Sequence, residues 1–274
     1  MRWSPGYRSS DVDDRRSEAG PRVGGGGLPL GAILSLGSRF GWKGILGALV
    51  LVGALSYAGT CTSEPRSTDQ SQLTGPTGSG GENDEASFVG FVLDDVQKTF
   101  AKEVPNYHPA RLELFRRAIK TDCGTATAAV GPFYCPNDEK AYIDLAFYDD
   151  LRTQLGAPGD FAQAYVIAHE LGHHVQNLRG EFSRGGSIAI ELQADCFAGA
   201  WAKDAEARGE LEVGDIDEAL NAAAQIGDDT LQKKAQGYVQ PEKWTHGSSA
   251  QRAGSFKQGY RGGFHACDSI VAAN

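Results

Sequence analysis

Five residues near the middle of the chain, His169-Glu170-Leu171-Gly172-His173, carry the types and spacing most able to do chemistry. On a helix, positions i and i+4 lie one turn apart on one face, so both imidazoles can reach one cation at about 2 Å from each nitrogen. Glu170 is rotated off that face, where it can take a proton from a water on the ion instead of binding the ion itself. A catalytic cation of this kind needs a third protein ligand and an open position. Glu191 supplies the ligand, and Asp195, one turn later on the same face, can accept the other ring N–H of a ligand histidine and fix its tautomer. Apolar neighbours (Ile190, Leu192, Ala194, Phe197, Ala198, Trp201) argue that this acidic pair is partly buried rather than a solvated face. The extended three-histidine pattern is excluded: Gln176 and Arg179 stand where its Gly and His would be, and the only methionine is Met1. His174 points about 100° away from His173 and is read as outer support or core. Hydrolysis at such a cation also calls for a donor to the developing oxyanion. His246, in the string THGSSAQR (245–252), is the candidate, and Arg252 is a weaker second for oxyanion or substrate contact. Tyr142 and Tyr165 could serve, but their apolar surroundings suit core positions.

The elements that must position these residues are legible around them. Asp160 follows Pro158-Gly159 and has Gln163 three residues on, a capping-box pattern, and Gly180 marks the far end, so a helix over 160–178 carries the pentapeptide. Helices are also expected over 147–155, 187–208 and 215–226. Val89, Val92, Leu93, Val96 and Phe100 fall at helical spacing before Pro105. Arg111–Phe115 alternates as a strand, and Gly131–Cys135 and Ala141–Phe147 flank a Pro136-Asn137-Asp138 turn as a hairpin. The expectation is an α+β fold with strands early and helices late, and Ala141–Phe147 as the edge on which a substrate lies extended.

A net charge of -9 over 274 residues argues against nucleic acid as a partner. Residues 1–43 hold seven cationic side chains against four acidic ones and a run of glycines, and read as a flexible cytoplasmic arm. Residues 44–60 are uncharged and continuously apolar, long enough for a membrane anchor. A cleaved signal peptide would end near Ser56-Tyr57-Ala58, but 43 residues is too long an n-region, and the residues before Cys61 lack the leucine of a lipidation signal. Residues 61–86 have linker composition, leaving 87–274 as the folded domain. Cations before the span and acids after it predict a single-pass protein with the arm in the cytoplasm and the domain on the periplasmic or extracellular side.

The strings GPFYCPNDEKAYIDLAF (131–147), GAPGDFAQAYVIAHELGHHVQNL (156–178), ELQADCFAGAWA (191–202), GDIDEALNAAAQIGDD (214–229) and THGSSAQR (245–252) resemble a bacterial neutral zinc metallopeptidase family. So does the start, Met1-Arg2-Trp3 with Arg15-Arg16 and a glycine run ahead of the apolar segment. The resemblance implies a zincin-like metallopeptidase domain with a small N-terminal sheet and a C-terminal helical part, preceded by one transmembrane helix. It implies one zinc ion on His169, His173 and Glu191, with Asp195 completing an ExxxD pattern, and a peptide or protein substrate. The spacing from His246 to Arg252 is similar to that in integral-membrane peptidases of the broader group. The four cysteines after the linker allow three connectivities, of which Cys123–Cys135 is the local choice and leaves Cys196–Cys267. The alternative reading is a catalytically inert, zinc-stabilised envelope binding module.

Overall fold

The computed structural model describes residues 1–18, 20–21 and 80–272. Strand β1 is Val12–Asp14, and helix α1 is Gly80–Glu103. Strands β2 (Arg111–Phe115), β3 (Ala118–Thr121), β4 (Gly124–Thr127), β5 (Phe133–Cys135) and β6 (Lys140–Asp144) follow. The rest is helical: α2 (Ala146–Thr153), α3 (Asp160–Leu178), α4 (Ser187–Ala207), α5 (Asp215–Gln225), α6 (Asp228–Gln236), α7 (Ser249–Gly262) and α8 (Asp268–Ala272). The mixed α+β class expected from the sequence is the observed one.

The main sheet has the order β1-β2-β6-β5, with β1, β2 and β6 parallel and β5 antiparallel to β6. Strands β3 and β4 form a separate hairpin that the sequence reading missed. The interior lies between the sheet and the helices: Val89, Val92, Leu93, Val96 and Phe100 of α1 meet Leu112, Leu114, Ala141 and Ile143 of the sheet and the apolar faces of α3 and α4. Strand β6 sits between β2 and β5, so both its backbone edges are already paired. It cannot take up an extended peptide, as expected of Ala141–Phe147. The sheet's own edges are β1 and β5, and β5 is the one that packs on α3.

Helices α4 and α7 touch backbone to backbone. A Cβ at Gly199 would lie 2.0 Å from the Phe256 carbonyl oxygen, and one at Gly259 would lie 1.8 Å from that of Cys196. Only glycine permits this crossing, and it carries Arg252 of α7 into the side of α4. The Cys196–Cys267 disulfide closes the same junction, and Cys123–Cys135 joins the β3–β4 turn to β5.

Two expectations are corrected. Helix α3 begins at Asp160 but is not capped by it. The N-cap is Gly159, without a side-chain bond, while the Asp160 carboxylate accepts from the Met1 amino group at 3.0 Å and Glu218 accepts from the Phe161 N–H. Nor are residues 1–18 a free arm: Val12–Asp14 pairs in register with Leu112–Leu114, and Trp3 packs edge-on against Phe88. Composition suggests free polar chain, but Tyr7 and Ser9 bond to Asp94 and Arg15 bonds to Glu113. Among the described residues, no helix is long and apolar enough to cross a membrane. Residues 44–60, the expected anchor, lie outside the described residues.

Candidate metal centre

Helix α3 places His169 and His173 one turn apart, and α4 brings Glu191 against them. Nε2 of His169 is 3.2 Å from Glu191 Oε2, and Nε2 of His173 is 3.4 Å from Glu191 Oε1. Four ligands at about 2.05 Å around a tetrahedral ion stand roughly 3.3 Å apart, close to these two histidine–carboxylate distances, and one ligand atom from each of the three residues lies within 4.8 Å of the others. All three side chains are buried, at 6%, 3% and 4% exposure. A donor set of two imidazoles and one carboxylate fits zinc.

The opposite ring nitrogens are held differently. Nδ1 of His169 donates to Asp195 at 2.8 Å, which turns Nε2 toward Glu191. Nδ1 of His173 donates to the Gln176 side-chain oxygen at 2.8 Å. The Gln176 amide nitrogen donates in turn to the Ile190 carbonyl and to Gln193, which fixes which end of the amide faces the histidine. Asp195 is wholly buried and accepts from four donors: His169, Tyr165 at 2.5 Å, and Nε and Nη2 of Arg252, each at 2.9 Å.

These contacts set the charges. Burial resists ionisation of Asp195, but Arg252 and His169 outweigh it and lower the pKa to about 2. Burial also disfavours the His169 imidazolium, yet Asp195 and Glu191 lift its pKa to about 9. Glu191, equally buried, is held well below the usual carboxylate range by the imidazoles of His173, His246 and His169. Two buried carboxylates held in their ionised form, Glu191 and Asp195, thus favour positive charge where the ring nitrogens converge.

Glu170 follows His169 on the helix and is 7% exposed. Among the described residues, none is hydrogen-bonded to its carboxylate, which sets it apart from every other acid around the site. His246 lies on the loop before α7. The carboxylate of Asp228 accepts from the backbone N–H groups of Thr245, His246 and Gly247 at 2.7, 2.7 and 3.1 Å. Nδ1 of His246 is 2.7 Å from the Thr245 hydroxyl and 3.4 Å from Asp228.

Several sequence readings change here. Arg252 is 2% exposed and bonded to Asp195 and to the Tyr165 hydroxyl, with Nη2 3.4 Å from Nδ1 of His169, so it braces the ligand histidine from behind rather than standing as the exposed oxyanion or substrate contact expected. His174 is fully buried and is no ligand: its Nε2 donates to the His108 carbonyl at 2.8 Å, and its Nδ1 accepts from the Tyr134 hydroxyl of β5 at 2.9 Å. Tyr165, read as core, is core and also part of the Asp195 cluster. In the sequence Gln176 stands out only as the residue that breaks a three-histidine pattern, and its place one turn after His173 is the signal of its role. Asp228 gave no signal, because 18 residues separate it from the loop it holds. A second convergent acidic group, Asp160, Asp215 and Glu218, is not a metal site of the same kind: the Met1 amino group donates to Asp160 and Asp215.

Residues 1–270 match the family described as "Putative neutral zinc metallopeptidase". The chain belongs to that family. A protein of Escherichia coli K12, "Uncharacterized protein YpfJ", is 42% identical over 290 residues, covering 96% of each chain. "Uncharacterized protein Rv2575" of Mycobacterium tuberculosis is 44% identical over 192 residues, 62% of this chain and 66% of its own. No solved structure matches. The family match takes in the N-terminal residues as well as the metal centre, in keeping with their packing as one unit.

Proposed function

We propose that the protein is a zinc-dependent endopeptidase with one zinc ion on His169, His173 and Glu191. The observation that carries this reading is Glu170: a nearly buried carboxylate without a hydrogen-bond partner among the described residues, beside three convergent ligands. Zinc bound there supplies a Lewis acid that polarises a peptide carbonyl and makes water acidic near neutral pH. Glu170 takes a proton from the attacking water and passes it to the leaving amine nitrogen. His246 donates to the oxyanion as charge develops, and Asp228 keeps its loop in place for that contact. Asp195, braced by Tyr165 and Arg252, holds His169 in the tautomer that presents Nε2. The edge of β5, which bears Tyr134 against His174, offers backbone groups for an extended substrate.

The two disulfides support a domain that works in an oxidising compartment, periplasmic or extracellular. Residues 44–60 remain the segment whose apolar length suits membrane attachment.

The test is cleavage of an unfolded protein by the purified chain loaded with zinc, beside Glu170→Gln. The wild type should cleave; Glu170→Gln should keep its metal and lose about 10²–10⁴-fold in rate, the range for a general base. Equal inertness of the two forms, both zinc-loaded, would favour a zinc-stabilised binding module instead.

A further inference from the structure

The most consequential contacts outside the metal centre belong to residues 1–18. Asp11 accepts the Leu112 N–H at 2.8 Å, and the Arg15 N–H donates to the Leu114 carbonyl at 2.9 Å, so β1 is hydrogen-bonded along its length to a core strand. Tyr7 and Ser9 both donate to the Asp94 carboxylate of α1, at 2.8 and 2.6 Å, and Tyr7 stacks edge-on with Phe91. Arg15 pairs with Glu113, a carboxylate only 2% exposed, and Arg16 pairs with Asp14 and reaches the Glu82 carbonyl. Removing this segment would uncover a strand edge and leave buried Glu113 with Lys140 alone.

Paired strands lie about 4.8 Å apart, whereas the hydrocarbon core of a bilayer is about 30 Å thick. A strand on one side of a membrane cannot complete a sheet on the other. We propose that residues 1–18 and residues 80–272 lie on the same side of the membrane, so that residues 44–60 do not stand between them as a single crossing.

The charge pattern that suggested opposite sides gives way on inspection of its members. Orientation is set by cations within roughly 15–20 residues of a span. Arg2, Arg8, Arg15 and Arg16 lie farther from residue 44 than that, and Arg15 and Arg16 are bonded to carboxylates of the fold. Within that distance stand Arg39 and Lys43 before the segment and Arg66 after it, a difference of one cation. The inference goes beyond the proposed activity and holds whether or not the metal centre hydrolyses peptides.

Labelling of the full-length chain in intact cells tests it. In a Cys61→Ser background, Ser10→Cys and Glu242→Cys each introduce one thiol at an exposed position. A membrane-impermeant maleimide, applied before and after lysis, should treat the two alike: both labelled in intact cells or both protected until lysis. Labelling of one in intact cells and of the other only after lysis would overturn the proposal. A second measurement reads the packing itself. Deleting residues 2–18 should lower the thermal midpoint of the extracted protein by roughly 5 °C or more, and an unchanged midpoint would count equally against it.

Discussion

The metal centre has two walls of different construction. The helical wall carries His169, His173 and Glu191 on α3 and α4, and its imidazoles are braced from behind, His169 by Asp195 with Tyr165 and Arg252, His173 by Gln176 with Gln193. The loop wall carries His246 on residues 245–247, whose backbone is gathered by the single carboxylate of Asp228. Rigid helices with a charged brace suit a task fixed in advance, holding an ion at set distances. A loop on one carboxylate suits a contact made during reaction. The difference teaches that metal affinity and turnover should be separable by mutation: damage to the helical wall should cost metal first, and damage to the loop wall should cost rate first.

The largest expected effect is at Glu191, where substitution by Ala should remove both bound zinc and activity, as metal analysis beside an activity assay will show. Stoichiometric zinc in Glu191→Ala would break the comparison at its base. Next is His246→Ala, which should lose about 10²–10³-fold in kcat with zinc content unchanged, the range for one oxyanion donor. A fall in zinc affinity there would move His246 from the loop wall into the ligand set. Asp195→Ala should weaken zinc binding about 10–100-fold, as loss of a histidine's outer partner does. The same change leaves the Arg252 guanidinium buried without its partner, which costs about 3–5 kcal/mol, measurable by denaturant unfolding. Gln176→Ala is the smallest: a neutral amide supports His173 where a carboxylate supports His169, so zinc affinity should fall by less than about tenfold. If Gln176→Ala equalled Asp195→Ala, the charge on the brace would not matter.

Much of the helical wall was legible in the sequence because its signals are local. Helix α3 was expected over 160–178 and spans Asp160–Leu178, and the ligand triad follows from two i, i+4 spacings. The loop wall was half legible: His246 could be singled out, but Asp228 is recognisable only once α6 has folded beside the loop. Arg252 misled because a cation in a polar string looks exposed, and only the glycine-mediated contact of α7 with α4 buries it. The N-terminal residues misled for the same reason on a larger scale. Their composition is that of free chain, while the partners that hold residues 1–18, among them Phe88, Asp94 and Leu112–Leu114, lie far along the sequence.

That distance gives the pairing of Val12–Asp14 with Leu112–Leu114 a consequence in time. A ribosome adding about 5–20 residues per second makes β2 roughly 5–20 s after β1. Through that interval the first strand has nothing to pair with, and the second emerges with its outer edge open. The sheet is finished by residues made early and placed late, so any factor that captures or withdraws the beginning of the chain during synthesis decides whether the domain closes.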